Sequence, residues 1–240
     1  MIEGYTLLSI FSSMNTQKEL CGPYKYLLAH SLIRRLTVSN IQKIGGVAAF
    51  INAAVSVATL IVAFGLIGLP ALTDNSRLAE LAINNPTPLI IQDVLKFVAA
   101  AVAIVLIAAL HNRLQSDAPR LMRVAARFGS LAVLCLVVNA SLSIFSVSQA
   151  ASFAQMTSDT GQQLTGIIGL LGLSVIFLNG IWYLLISWAA LRYNRLPKSL
   201  SYLGLGMGLL SLVPLLGILV LLLSIPWSLW LGQVLVTTTA

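Results

Sequence analysis

Long apolar runs separated by short polar connections cover the chain from residue 44 onward. A helix needs about 20 mainly apolar residues to cross the hydrocarbon core of a bilayer, so each run can be compared with that length. Four runs reach it, at residues 44–69, 88–110, 128–148 and 166–191. The pattern predicts an all-α fold in which transmembrane helices form a polytopic bundle over residues 44–236.

The carboxy-terminal stretch is harder to divide, because it carries no charge and includes Pro214 and Pro226. We expect one main span over residues 200–225, kinked near Pro214, since proline cannot donate a helical hydrogen bond. Residues 226–236 then form an interfacial or a sixth membrane segment. Five spans are predicted, with six as the alternative, and with five the tail ends opposite the amino terminus. Two tryptophans are expected at the membrane interface, Trp227 and Trp230.

Residues 1–43 are more polar and lack the basic leader and cleavage site of a secretory signal peptide, so no cleaved signal is predicted. The stretch Tyr24–Leu36 places basic and apolar residues at helix-compatible spacing. Such a helix suits the inner surface of a membrane. We therefore expect a short amphipathic arm on the cytoplasmic side, with a loosely ordered tail as the alternative.

The composition excludes a soluble domain, since 58% of the residues are hydrophobic and 9% are charged, whereas soluble proteins carry about 25% charged residues. The net charge of +7 does not indicate a nucleic-acid partner, because the basic residues form separate clusters between apolar runs. The positive-inside rule places these clusters, and the amino terminus, in the cytoplasm. The clusters are Lys18, Lys25, Arg34, Arg35 and Lys43; Arg113, Arg120, Arg123 and Arg127; and Arg192, Arg195 and Lys198.

Asp93 and Lys96 interrupt the second apolar run near its start. A span that began after Lys96 would have about 14 apolar residues and a length of about 21 Å, too short for a core of about 30 Å. A span that begins at Pro88 is long enough and carries both charges into the membrane from the outer side. At i, i+3 spacing the two side chains share a helix face and can neutralise each other. The pair is a candidate transport site, and the alternative is a fold-stabilising pair whose lysine extends to the interface.

Asparagines and glycines inside the runs are further candidates. An unsatisfied amide is costly in hydrocarbon, so each asparagine is expected to hydrogen-bond to a neighbouring helix, with a polar substrate site as the alternative. Glycines at three- and four-residue spacing allow close approach of helix backbones. The asparagines are Asn52, Asn139 and Asn179, and the predicted packing glycines are Gly166, Gly169, Gly204 and Gly208.

Catalytic and metal-binding patterns are not found in the sequence. His30 and His111 are the only histidines, and neither lies in a zinc-protease, phosphate-loop or serine-hydrolase motif. Cys21 and Cys135 are far apart and are expected to be unpaired thiols. We therefore expect no catalytic residue, no metal, no cofactor and no enzymatic activity.

Two segments, Leu121–Phe145 and Leu171–Leu212, carry a resemblance to a known family. An arginine enters the third span, an apolar fourth span follows, and a short connection alternates basic residues with Leu, Pro and Gly. With Ile41–Val55 at the first span, this pattern resembles the bacterial integral membrane proteins grouped as domain of unknown function 4386. The resemblance covers residues 40–236 and implies a bundle in the bacterial inner membrane, often of six spans, with no established activity or site. The connection consists of Arg195, Leu196, Pro197, Lys198, Leu200, Leu203, Gly204 and Gly208.

Three functions from different classes fit these observations. The preferred one is an accessory, assembly or regulatory subunit of a membrane complex, which would have a protein partner or a second copy of the chain in addition to the lipid bilayer. The second is a small-molecule transporter, for which Asp93, Lys96 and the three asparagines should line one cavity. The third is a membrane-embedded lipid-modifying enzyme, which would need a general base with a nucleophile or metal.

Overall fold

The structure is a computed structural model that describes residues 22–68, 70, 74–150, 159–213 and 216–237. The chain divides into two compact units, Met1–Asn40 and Ile41–Ala240. In the first unit, residues 22–40 are helical. The side-chain pattern predicted for the amphipathic arm, together with Cys21 and the His30 side chain, lies outside the described residues.

The described residues form helices and contain no strand. Five helical stretches among them are long and apolar enough to cross a membrane, at Asn40–Ile67, Thr87–Leu114, Pro119–Ser148, Gln163–Tyr193 and Gly217–Thr237. The predicted all-α transmembrane bundle is therefore confirmed. In chain order the helices are α1 (Gly22–Ile61), which continues into a π-helical segment (Val62–Ile67), α2 (Asn75–Asn84), α3 (Thr87–Leu114), α4 (Pro119–Ser148), α5 (Asp159–Tyr193), α6 (Lys198–Leu210) and α7 (Gly217–Thr237).

Proline, glycine and one aspartate mark several helix ends. Pro88 and Pro119 lie in the first turns of α3 and α4, where the missing N–H has no helical acceptor to lose. Gly68 ends the π-helical segment with a φ of 84°, a value that favours glycine. Asp74 caps α2 by accepting a hydrogen bond from the Ser76 backbone N–H at 2.9 Å. These residues mark where helices begin and end, so the connections between the helices are short.

The long helices α1, α3, α4 and α5 alternate in direction. In the contact between α1 and α3, residues early in the membrane span of α1 (Asn40–Ile67) meet residues late in α3, as Gly45 does with Ala109. In the contact between α4 and α5, the order is likewise reversed, with Gly129 against Trp182 near the opposite end from Asn139 and Ile168. The start of the first span (Asn40–Ile67), the end of α3, the start of α4 and the end of α5 therefore share one end of the bundle.

We call this end the basic end, because most lysines and arginines of residues 41–240 lie there, and the other end, which carries α2, the α2 end. The basic end includes the connections between α3 and α4 and between α5 and α6. Positive charge is thus concentrated at one end of the bundle, as the alternation of basic loops in the sequence predicts. The residues concerned are Lys43, Arg113, Arg120, Arg123, Arg127, Arg192, Arg195 and Lys198.

The carboxy-terminal stretch forms two antiparallel helices, α6 and α7, instead of the expected single span over residues 200–225. Contacts of α6 with α5 run in reverse order, from Gly204 against Ser187 to Gly208 against Leu184. Helix α6 has 13 residues and a length of about 20 Å, so it is shorter than a full span. The kink predicted near Pro214 lies outside the described residues.

Helix α7 closes the bundle against α1, in antiparallel order. Ser224 contacts Ser56 and Ser228 contacts Asn52, whereas Gly232 lies further along against Gly46. The carboxy-terminal end of α7 therefore lies at the basic end, and the prediction that the tail ends opposite the amino-terminal end of the first span is wrong. The reason is that α6 adds a sixth, shorter helix that reverses the direction of the chain.

Trp227 is buried, in contrast to the interfacial position expected from the sequence. Only 2% of it is exposed, and its ring packs edge-on against Trp182 and Tyr183, with centroid distances of 6.4 and 5.1 Å. Pro226 lies inside α7 and does not end it. Trp230, on a different face of the helix, is 39% exposed. The aromatic contacts inside the bundle, which are not visible in the sequence, decide the place of Trp227.

The apolar core lies mainly in the half of the bundle nearer the basic end. It draws on the last turns of α3 and α5 and on the second half of α7, which are the parts of those helices that converge there. Its most deeply buried large side chains include Leu110, Leu114, Met122, Ile186, Leu200, Met207, Trp227, Leu231 and Leu235.

Candidate functional site

Asp93 and Lys96 form an ion pair within α3, in the half of the bundle nearer the α2 end. Lys96 Nζ lies 2.7 Å from Asp93 Oδ1. The Asp93 side chain is 2% exposed, and the Lys96 side chain is 28% exposed. The pair therefore places a buried carboxylate beside a cation that keeps partial access to the surroundings.

Asn139 of α4 connects this pair to two further helices. Its side-chain oxygen accepts a hydrogen bond from Lys96 Nζ at 3.0 Å, and its amide nitrogen donates to the Ile168 carbonyl of α5 at 2.7 Å. Gly172, one turn after Ile168, lies beside the amide, and a Cβ there would make an ordinary van der Waals contact with Asn139 Nδ2 at 3.7 Å. Asp93, Lys96 and Asn139 thus form one polar cluster that joins α3, α4 and α5, which we call the three-helix cluster.

The three-helix cluster leaves one buried oxygen of Asp93 without a hydrogen-bond donor. Among the described residues, Asp93 Oδ2 has no hydrogen-bond partner, and neither does the buried Oε1 of the adjacent Gln92. An unsatisfied buried acceptor costs about 1–3 kcal/mol, and more when it is charged. The site can therefore accept a hydrogen bond from a water molecule or from a donor group of a ligand. Gln92 was not singled out in the sequence, although its position beside Asp93 and before Lys96 could have indicated it.

Asn52 belongs to a different contact, between α1 and α7. Its amide nitrogen donates to Ser228 Oγ at 2.9 Å, and Ser56 and Ser224 lie one turn further along with their hydroxyl oxygens 3.1 Å apart. Each serine hydroxyl has one proton, which can be donated to the other serine or to a carbonyl of its own helix, that of Asn52 for Ser56 and that of Leu221 for Ser224. These side chains find their hydrogen-bond partners within the protein, so this contact holds α1 and α7 together.

The candidate polar residues do not converge on one site. Lys96 and Asn139 join Asp93, whereas Asn52 bonds to α7. The half-buried side chain of Asn179 makes no hydrogen bond within the described part of the chain. The described residues also contain no group of three or more His, Cys, Asp or Glu side chains that could hold a metal ion. Of these five residues, Asp93 and Asn179 keep open hydrogen-bonding positions within the described part of the chain, and only the open atom of Asp93 is fully buried.

The predicted packing glycines fall into two classes. Gly204 and Gly208 lie where α6 meets α5, and a Cβ at Gly208 would come within 2.9 Å of the Gly180 carbonyl oxygen. Gly166 and Gly169, by contrast, have no atom within 4 Å of the Cβ position. Within the described part of the chain, these two glycines therefore do not pack against another helix, in contrast to the prediction. The space beside them is open.

A salt bridge at the basic end joins two connections that are far apart in the sequence. Arg195 donates to both carboxylate oxygens of Asp117, at 2.6 and 2.8 Å, and its carbonyl accepts from Arg113 at 3.2 Å. The hydrogen bonds from Arg195 lower the pKa of Asp117 and raise the pKa of Arg195. The ion pair was not predicted. Asp117 is the acidic residue of an otherwise basic connection, and its position among arginines could have indicated the pair.

Two residues that the sequence singled out play modest parts. His111 lies near the basic end with its Nδ1 3.3 Å from the Met122 carbonyl oxygen, a contact that ties α3 to α4. Cys135 is a free, half-buried thiol. Neither residue is part of the three-helix cluster.

Comparisons with known proteins agree with this architecture at the level of the family alone. Neither the curated proteins nor the solved structures give a match. A family model described as "Domain of unknown function (DUF4386)" matches residues 42–237, which include all the long helices from the start of the first span to the end of α7. The match covers most of the chain, and the protein therefore belongs to the DUF4386 family.

Proposed function

We propose that the protein is a non-catalytic subunit of a larger assembly in the bacterial inner membrane, where it has an accessory, assembly or regulatory role. The observation that carries this proposal is the uncovered amino-terminal half of α5. In the most apolar stretch of that span, 6% of the residues are buried, compared with 22–33% in the other four. A helix that the described residues cover so little is available to another protein.

The chemistry of the uncovered surface supports a protein neighbour. Ile167, Leu170 and Leu173 are 49%, 66% and 48% exposed, and they surround the open positions beside Gly166 and Gly169. Lipid tails are as apolar as these side chains, so apolarity alone does not select a partner in a membrane. Small residues do select a partner helix, because they let it approach closely enough for extensive van der Waals contact.

The test is a pair of glycine substitutions with a matched control. Gly169→Leu adds a side chain where the chain itself offers no clash, so the isolated protein should fold normally and the assembly should be lost. Gly206→Leu is the control, because Gly206 also has no atom within 4 Å of its Cβ position but lies on α6. The complex is isolated in native lipid particles, its mass is measured, and the proteins that co-migrate are identified.

The outcomes of this experiment separate the functional classes. Loss of a stoichiometric partner in Gly169→Leu but not in Gly206→Leu supports a subunit that is joined through α5. Loss of a homo-oligomer in the same pattern identifies the partner as a second copy of this chain. A wild-type protein that migrates as a monomer contradicts the proposal.

The proposed orientation places the basic end in the cytoplasm, following the positive-inside rule. Cysteines introduced at exposed Ser116, at the basic end, and exposed Ser76, at the α2 end, test it in a background without Cys21 and Cys135. A membrane-impermeant maleimide should label the cysteine at position 76 in intact cells and leave the one at position 116 unlabelled. The reverse pattern would overturn the orientation.

A second candidate function is transport of a small polar molecule, and the free oxygen of Asp93 favours it. Asp93 Oδ2 is buried without a partner, beside a lysine that is partly exposed. Ionisable groups inside a membrane commonly mark substrate or proton pathways. Small molecules retained by the purified protein can be extracted and identified by mass spectrometry. A stoichiometric compound that disappears in Asp93→Leu with Lys96→Met would support transport, and its retention in that variant would count against this site.

A further inference from the structure

We infer that the exposed face of α4 binds an anionic phospholipid, with the headgroup at Arg120, Arg123 and Arg127, which we call the α4 arginine stripe. The proposal concerns a different surface from α5. It is carried by the spacing, exposure and charge of these residues and by the apolar side chains that follow them on the same helix.

The three arginines share one face of α4. Their spacing of three and then four residues places them on one side of an α-helix over about two turns. All three are exposed. Their guanidinium groups can therefore approach one ligand together from the side of the surrounding membrane.

The α4 arginine stripe has no acidic partner among the described residues. Arg123 donates to the Pro119 carbonyl at 3.3 Å, which leaves its charge uncompensated. Asp117, the nearest acid in the sequence, is held by Arg195. The first turn of α4 contains no acidic residue, and the positive end of the helix dipole adds to the positive potential there. An anion would lower the electrostatic energy of this surface, and guanidinium groups match phosphate geometry.

Apolar side chains continue the same face into the membrane. Leu131, Leu134 and Val138 are 46%, 59% and 39% exposed, and Val138 lies about 16 Å along the helix axis from Arg127. That length accommodates much of an acyl chain. The order of cationic groups followed by an apolar strip matches a phospholipid, in which phosphate is followed by hydrocarbon, better than it matches a soluble anion.

The experiment compares two variants with the same change of net charge. Arg120→Gln with Arg123→Gln and Arg127→Gln removes the α4 arginine stripe. Lys43→Gln with Arg192→Gln and Lys198→Gln removes three exposed cations from the same end of the bundle but from other helices. Retention of phosphatidylglycerol by the full chain is measured by native mass spectrometry, and thermal unfolding is measured with phosphatidylglycerol, phosphatidylcholine or inorganic phosphate.

We expect phosphatidylglycerol retention to fall at least about tenfold in the α4 variant and to change less than about twofold in the control, because each cation near a charged headgroup contributes measurably. Equal losses in the two variants, or no loss in either, would overturn the proposal. Stabilisation by inorganic phosphate equal to that by phosphatidylglycerol would also overturn it, in favour of a free-anion site. If the triple variant does not fold, Arg120→Gln and Arg127→Gln singly, compared with Lys198→Gln, provide the same test.

Discussion

The two halves of the bundle are held together differently. Near the basic end, Leu110, Ile186 and Leu231 are each at most 1% exposed, and glycines bring helix backbones into close contact. Nearer the α2 end, Asp93, Lys96 and Asn139 join three helices through polar contacts, while the first half of α5 is largely uncovered. Since lipid is itself apolar, burial of apolar groups contributes less here than in water, and close packing and hydrogen bonds determine which helices meet.

Because they are held together differently, the two halves are expected to have different roles. The half nearer the basic end holds most of the deeply buried apolar side chains, and its close contacts determine which helices meet. The polar half has an unsatisfied oxygen, a partly exposed lysine and an open helix surface, all of which are features that a ligand or partner could use. Substitutions in the two halves should therefore differ in size and in kind.

The largest effect is expected from breaking the ion pair on one side only. Lys96→Met leaves the Asp93 carboxylate buried without its cation, and removal of one partner of a buried pair costs about 3–5 kcal/mol. Asp93→Leu with Lys96→Met should be closer to wild type, because no charge is left behind. Unfolding of both variants in detergent, followed by helical circular dichroism, measures the difference. Equal stabilities would show that the two residues are not coupled.

Gly208→Leu should come next and tests the packed half. The new side chain would overlap Leu184 and the Gly180 carbonyl, and overpacking of this kind costs about 3 kcal/mol. Gly206→Leu, two residues away with open space at its Cβ, should leave the midpoint of thermal unfolding nearly unchanged. A similar loss in both variants would mean that a larger side chain anywhere on α6, and not the contact with α5, is responsible.

A smaller effect is expected where α1 meets α7. The coupling energy between Asn52→Ala and Ser228→Ala, obtained from the two single variants and the double variant, should be about 0.6–1 kcal/mol. Asn179→Ala in combination with Ser228→Ala is the control, because Asn179 has no hydrogen bond within the described residues. A coupling energy of zero for Asn52 and Ser228 would contradict a stabilising hydrogen bond between α1 and α7.

The smallest effect is expected for the exposed pair at the basic end. Because the folded pKa of Asp117 is lowered from 3.8, its contribution to stability is present above the unfolded pKa and is lost as the pH falls through the folded pKa. The stability difference between wild type and Asp117→Asn should therefore shrink as the pH is lowered below about 4. Arg195→Gln should abolish the same pH dependence. A difference that persists in acid would assign the effect to something other than the ion pair.

The sequence predicted features that depend on spacing within one helix. The i, i+3 relation of Asp93 and Lys96 is local, and so is the four-residue spacing of Gly204 and Gly208. It could not specify that Asn139 would reach both Lys96 and α5, because that contact depends on how three helices pack. For the same reason, the spacing of Gly166 and Gly169 suggested packing but did not say whether the partner lies in this chain.

The carboxy-terminal helices show where general rules were insufficient. A proline at residue 226 and two nearby tryptophans suggested the end of a span at an interface. Helix α7 continues through Pro226 and directs Trp227 toward Trp182 and Tyr183. Proline is tolerated in a membrane helix when neighbouring helices support it, and those neighbours are a property of the tertiary structure.

The contact of α1 with α7 has a consequence for biosynthesis. The span in α1 is made before α7 and presents Gly46, Asn52 and Ser56 toward it. Until α7 is inserted, the side chains of Asn52 and Ser56 lack their partners Ser228 and Ser224. The unfinished chain then exposes polar side chains to lipid. Synthesis through α7 is therefore a condition for the hydrogen bonds that these α1 side chains form across the bundle, and a chain truncated before residue 217 should be a substrate for membrane quality control.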